Sequence, residues 1–271
     1  IESLATRAAK KPASAPAPAR GAASPNSGGG HFLYGPPRGA PESNRIVERE
    51  IYTLSANKET KFADWVAYRL TPRSIEGGGA KTERVWRADP ELPEDYTLEP
   101  EDYRGAFEAL QVDRGHQAPL AGFRGSGQWA DTNYLSNITP QKSALNQGPW
   151  NRLEEKERAL VREYGEVFVL TGPLYEREMP PLPNADEPHK VPSGYWKILA
   201  VQPDPGDPVA LQTAAFLMDQ NAPRDTAPMK YLSTVNEIER RSGLNFFADL
   251  PDTIEESLES SDNRDWAEKR F

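Results

Sequence analysis

The chain reads as one mixed α+β domain, and three observations carry that reading. Segments rich in β-branched and aromatic residues occur both early and late in the chain, the early ones alternating apolar with polar side chains. Between them stands residues 150–164, a helical segment with apolar side chains on one side. No internal repeat and no linker interrupts residues 31–260, so strands and helices must share one body.

Residues 1–30 are Ala, Pro, Ser and Gly with a few basic side chains, ending in Ser27-Gly28-Gly29-Gly30. That composition cannot bury enough apolar area to offset ordering, so a disordered tether is expected. The domain then runs from residue 31 to 271, with about the last ten residues expected as a loose tail. Residues 46–54 (IVEREIYTL) and 62–71 flank Asn57-Lys58 and read as a hairpin. Gly77-Gly78-Gly79 reads as a flexible loop, without the strand-to-helix context of a phosphate cradle. Residues 100–111 read as a short helix that leads through Val112 into Asp113-Arg114-Gly115-His116. The helix over 150–164 gathers Trp150, Leu153, Leu160 and Val161 on one side, with Pro149 at its first position and Gly148 before it. Pro149 has no N–H for the carbonyl of Leu145, so a kink or a late helix start is expected after Asn146. Residues 166–171 and 194–201 read as strands, followed by 210–218. Thr234-Val235-Asn236-Glu237 is a capping box opening a helix that closes at Gly243, and Thr253-Ile254-Glu255-Glu256 is a second one.

Composition narrows the chemistry. With 271 residues, 37% of them hydrophobic and 27% charged, the chain can build a sizeable core. It has no cysteine, which excludes disulfides, Cys-ligated zinc, iron–sulfur clusters and thiol nucleophiles. The three histidines lie far apart, and HExxH, GxxxxGK[ST] and GxSxG are all absent, so zincin, P-loop and α/β-hydrolase readings lose their signatures. No apolar run is long enough to span a membrane, and any targeting segment is expected to lie outside the sequence or to have been removed. The net charge of −9 argues against a generally polyanion-binding surface. It is unevenly spread: the first forty residues carry +4, which leaves −13 on the body, yet residues 113–162 hold seven basic against five acidic side chains. Such an island suits an anionic ligand, although a solvated helix face gives the same count.

His116 is the histidine in a polar setting, and a neutral imidazole is a natural general base; a lone histidine is more often structural than catalytic, and only its neighbours shift that balance. Arg114, Asn137, Asn146, Arg152, Glu154 and Arg158 lie within the same island. Glu154 and Arg158 share a helix face at i, i+4, either as an ordinary surface ion pair or as site groups. Asn146 reads as a helix-capping residue or as an amide oxygen for a hard cation such as Mg2+. Arg84 has only a surface reading by itself. Together these residue types suggest a metal-assisted hydrolase of an anionic substrate.

Val112-Asp113-Arg114-Gly115-His116-Gln117-Ala118-Pro119, followed by the run from Asn133 to Gly148 (NYLSNITPQKSALNQG), resembles the DNA/RNA non-specific endonucleases of the ββα-metal (His-Me finger) class. The similarity includes Phe62–Leu70, Leu170–Arg177 and Val191–Lys197 and covers most of residues 31–258. It implies an antiparallel central sheet flanked by helices. It also implies Mg2+-dependent cleavage of DNA and RNA, single- or double-stranded, to 5′-phosphate and 3′-hydroxyl ends, with Mn2+ able to replace Mg2+. By position, His116 would be the general base, Asn146 the protein ligand of the metal, and Glu154 the partner of the metal's waters. Arg84 and Arg158 would stabilise charge on the phosphate and near the leaving group, with Arg114 and Asn137 supporting the site. The resemblance leaves room for a homodimer and for a protein inhibitor, and it implies a secreted or periplasmic bacterial enzyme.

The chain departs from that pattern in places. A secreted member of the family is braced by disulfides, which this chain cannot form, so packing alone must stabilise it. Asn137-Ile138-Thr139 is formally a glycosylation sequon, which beside an active site would obstruct a polymer and is therefore read as incidental. The acidic body suggests affinity drawn from a local cleft and the metal, with few ion pairs and a shallow salt dependence. A non-catalytic nucleic-acid-binding module, the toxic domain of a delivered effector and a hydrolase of small sugar phosphates are the competing readings.

Overall fold

In the computed structural model, residues 30–77 and 84–271 are described. The expected tether, apart from Gly30, and most of the Gly77–Gly79 loop therefore lie outside the described residues. The strands are β1 (Arg45–Glu48), β2 (Thr53–Asn57), β3 (Phe62–Leu70), β4 (Val112–His116), β5 (Ile138–Lys142), β6 (Val167–Leu174), β7 (Gly194–Val201), β8 (Gln212–Asp219) and β9 (Leu232–Ser233). The helices are α1 (Pro72–Ile75), α2 (Ala106–Leu110), α3 (Ser143–Leu145), α4 (Asn151–Tyr164), α5 (Val235–Ser242), α6 (Asp252–Ser260) and α7 (Arg264–Ala267).

Seven strands form an antiparallel sheet in the order β1-β2-β3-β6-β7-β8-β9, and β4 pairs with β5 in a separate two-stranded sheet. The main sheet thus follows chain order except for one excursion between β3 and β6. That excursion carries β4, β5 and α4.

Every residue of β6 and β7 is buried, so both faces of the sheet must be covered. On one face Leu54, Val66, Tyr68, Val169, Leu199 and Phe216 pack against Leu153, Leu160 and Val161 of α4. On the other, Trp65, Phe168, Leu170, Trp196 and Ile198 pack with Val235 and Ile238 of α5 and with Phe246. A smaller cluster of Phe62, Tyr103, Val112, Leu135 and Ile138 supports the β4–β5 pair.

Several sequence expectations need correction. Residues 46–54 are two strands, because Arg49 N–H bonds to the Tyr52 carbonyl at 2.8 Å and turns the chain between them. The sheet edge is therefore a three-stranded meander, with Asn57-Lys58 at its second turn. Thr234 caps α5 by accepting from the Glu237 amide, but the Glu237 carboxylate pairs with Arg240 and does not return to the cap. Thr253 lies inside α6, which starts after Pro251 without a side-chain cap. The last residues are packed, not loose: Trp266 of α7 donates to the Tyr164 hydroxyl at 3.1 Å, and Phe271 lies 4.9 Å from Phe216, centroid to centroid. Two aromatic side chains in ten residues supply the apolar area that a free tail would lack.

Candidate active site

The β4–β5 pair sets Gly115 opposite Thr139 and His116 opposite Ile138. Gly115 is required there: a Cβ would lie 2.6 Å from Gln141 Oε1 and 2.7 Å from Gln141 Cβ. From β5 the chain passes through α3 into a wide turn, Asn146–Trp150, and then into α4. Pro149 sits inside this turn, and Gly148 breaks the helical path at φ −106°, ψ −117°. The late helix start expected from Pro149 is present: α4 begins at Asn151. Gly148 also permits a close crossing, since a Cβ there would lie 2.5 Å from the Arg224 carbonyl oxygen.

These elements line an open cleft of about 1190 Å³ into which His116, Asn146, Glu154, Arg84, Arg114 and Arg158 are all brought. His116 Nε2 lies 3.1 Å from Asn133 Oδ1. With an amide oxygen as partner, Nε2 carries the hydrogen and donates, which leaves the Nδ1 lone pair as the basic site. The imidazole rests against Trp86, ring centroids 5.4 Å apart. Burial pushes its pKa down to about 4; the Asn133 hydrogen bond opposes the shift and the Arg84 charge adds to it.

Asn146 Nδ2 donates to Asp113 Oδ2 at 2.9 Å, and the other oxygen of Asp113 accepts from the Ser143 hydroxyl. The amide nitrogen is therefore tied to the protein, and no hydrogen bond among the described residues occupies Asn146 Oδ1. Glu154, on the first turn of α4, makes neither a hydrogen bond nor an ion pair among the described residues. Burial raises its pKa to about 7, with the adjacent Glu157 also raising it and Lys197, Arg158 and Arg84 lowering it. The surface ion pair that the i, i+4 spacing of Glu154 and Arg158 permits is absent, and Arg158 Nη1 is buried without a partner. A hard amide oxygen and a carboxylate with no protein partner fit a Mg2+ ion that keeps most of its waters. A different trio, Asp102, Asp186 and Glu187, brings its ligand oxygens within 4.8 Å of one another and includes none of the expected site residues.

The arginines divide by environment. Arg84 is exposed at the cleft wall. Arg114 is partly buried: its guanidinium lies over the Trp86 and Tyr103 rings at 5.6 and 5.1 Å and donates to the Pro100 carbonyl at 2.9 Å. It is a wall of the cleft fixed by stacking.

Asn137 does not belong to the cleft. It is fully buried, with Oδ1 accepting from the Ala118 amide and Nδ2 donating to the carbonyls of Ala118 and Thr132. Its amide is consumed in holding the loop that follows His116, so it supports the site without lining the cleft. The same burial leaves the sequon no room for a glycan. Sequence reasoning missed Asn133 and Asp113. Both lie within the quoted motif segments, but their partners follow only from the pairing of β4 with what comes after it.

A sequence model of the DNA/RNA non-specific endonuclease family matches residues 33–253. The chain is 49% identical over 220 residues to the nuclease of Serratia marcescens, covering 80% of each. It is 34% identical over 229 residues to the mitochondrial endonuclease G of Homo sapiens, covering 78% of this chain and 72% of that one. In fold it is similar to the structure of an EndoG/EndoGI complex, with a TM-score of 0.64 at 24% identity over 76% of this chain and 86% of that one.

Proposed function

The chain belongs to the DNA/RNA non-specific endonuclease family, and from that premise we propose a Mg2+-dependent hydrolysis of DNA and RNA, single- or double-stranded, with His116 as general base. The observation that carries this is the pairing, in one cleft, of a neutral imidazole fixed through Nε2 with an amide oxygen at Asn146 whose nitrogen is clamped by Asp113.

His116 Nδ1 takes the proton of a water as its oxygen attacks phosphorus in line with the 3′ oxygen. The P–O3′ bond breaks, giving 5′-phosphate and 3′-hydroxyl ends, and the leaving oxygen gains its proton from solvent. Asn146 Oδ1 would hold the metal, and the Glu154 carboxylate would accept hydrogen bonds from its waters. Bound Mg2+, or Mn2+ in its place, supplies charge stabilisation on the phosphate and leaving oxygens. Arg84 and the free Nη1 of Arg158 donate to phosphate oxygens as negative charge builds. Arg114 keeps Trp86, and through it the imidazole face, in place. Contacts directed to phosphate and sugar give no base preference.

We place the catalytic domain at 31–271. A secreted or periplasmic bacterial setting suits the likeness to the Serratia nuclease, and among the described residues no helix is long and apolar enough to cross a membrane.

Supercoiled plasmid and total RNA, each incubated with Mg2+ or with chelator, check the reading. Degradation of both only with Mg2+, leaving ends that accept a kinase label only after phosphatase treatment, is expected. Binding without cleavage would favour the non-catalytic module.

A further inference from the structure

Beneath the cleft, and taking no part in the chemistry above, lies a fully buried polar network. Lys197, in the middle of β7, donates through Nζ to Glu157 Oε1 at 2.5 Å and to the Tyr68 hydroxyl at 3.2 Å. The Tyr68 hydroxyl in turn donates to Glu157 Oε2 at 3.0 Å. Neither Lys197 nor Glu157 has any exposed surface. The ammonium also lies 4.5 Å from the centroid of the Trp150 ring.

A buried ion pair contributes little net stability, and apolar residues of similar volume often serve as well or better. Its location suggests another role. Glu157 is three residues after Glu154 and one before Arg158, on the same helix. Trp150 ends the wide turn that begins with Asn146. That junction has no side-chain cap, and Gly148 interrupts its helical path. Apolar packing is non-directional and fixes the roll of a helix less sharply than a directional bond. Arg152 and Lys156 tie the outer side of α4 to backbone carbonyls, and on its buried side a carboxylate held at both oxygens does the same. Trp150 meets Tyr195 edge-on at 5.7 Å, and the Tyr195 hydroxyl donates to the Pro140 carbonyl of β5, so the same contacts reach the second strand of the motif.

We propose that Lys197 is a positioning residue: through Glu157 and Trp150 it locks α4 and the Asn146–Trp150 turn together, setting Asn146, Glu154 and Arg158 in one fixed arrangement. The inference rests on the nuclease reading for its kinetic consequences, but not for the geometry it assigns.

The network can be replaced whole by Lys197→Met, Glu157→Leu and Tyr68→Phe, which leaves no orphaned charge. Unfolding within about 4 °C of the parent is expected, with kcat on plasmid DNA lowered about tenfold to a hundredfold at little change in KM. Titration of Mg2+ alone by calorimetry should show weaker binding in the variant. A folded variant with parental kcat and parental Mg2+ affinity would overturn the proposal. If the triple variant fails to fold, Tyr68→Phe alone frees one oxygen of Glu157; it should lower kcat about threefold or more, and parental values would again overturn the proposal. A parent that does not cut nucleic acid would count against the nuclease reading. Equal Mg2+ affinity of parent and variant would then count separately against this one.

Discussion

His116 and Glu154 have ionisations displaced in opposite directions, and both displacements start from burial. His116 stays neutral down to about pH 4, whereas Glu154 keeps its proton up to about pH 7. A base must be neutral to accept a proton, so at saturating Mg2+ kcat/KM should fall as pH drops through about 4, well below the ordinary histidine value. In the role proposed for it, Glu154 holds metal waters only after losing its proton, so the half-saturating Mg2+ concentration should fall as pH rises through about 7. Rate profiles at limiting and saturating Mg2+ separate the two, and a single acid limb near 6.5 at both concentrations would contradict the assignment. Since the folded pKa of His116 is depressed, its neutral form also contributes stability that is present above pH 6.5 and is lost as pH falls toward 4. Asp113 makes a further check possible. Asp113→Ala frees the Asn146 amide, so the Mg2+ requirement should rise about tenfold to a hundredfold while the fold persists. The motif quoted from the sequence contains His116 and Asn146, and the structure brings both to one cleft. The roles of Asp113 and Asn133 were not legible in the sequence, because hydrogen-bond partners 33 and 17 residues apart in the chain are not a local property. Asn137 carried a site-like residue type into a place where its amide serves only backbone groups.

The elements that carry the site are among those least visible in the sequence. β4 and β5 are five residues each, polar, and interrupted by Gly115 and Pro140, so neither shows the near-continuous apolar run that marked β7. Pro140 is tolerated because this pair stands apart from the main sheet as a two-stranded ladder. α4 was legible from its apolar stripe, and its late start from Pro149. Gly148 ties that start to function. Gly148→Ala pushes a Cβ into the Arg224 backbone, where Arg152 also donates to the Arg224 and Thr226 carbonyls and fixes the loop. The turn must then move, so activity should fall about a hundredfold and stability by about 1–3 kcal/mol. Gly127→Ala, with nothing within 4 Å of the added Cβ, should leave both unchanged.

Across the whole molecule, an acidic body carries a cleft lined by five arginines, Arg84, Arg104, Arg114, Arg124 and Arg158. Arg104 is paired with Glu101 and Arg114 is engaged by rings and a carbonyl, which leaves about three for phosphates. The logarithm of the binding constant should therefore fall against that of salt with a slope of about −3, shallow for a nucleic-acid binder. Without disulfides, packing at the C-terminal end must be retained. Deleting residues 264–271 removes Trp266 and Phe271 from α4 and β8, along with the Lys156 bond to the Arg270 carbonyl. A loss of about 3 kcal/mol, or about 6–12 °C in unfolding midpoint, is expected by calorimetry. The class of fold was readable from composition and periodicity. The ordering of the last residues was not, because two aromatics among charged neighbours give no period to follow.

The proposed chemistry turns on whether His116 removes the proton from the attacking water. Single-turnover cleavage of plasmid DNA by His116→Ala beside the parent, at saturating Mg2+ and equal substrate occupancy, measures this most directly. A rate lowered about 10²- to 10⁴-fold with DNA binding retained is expected. A variant that cuts at the parental rate would place the base on another residue.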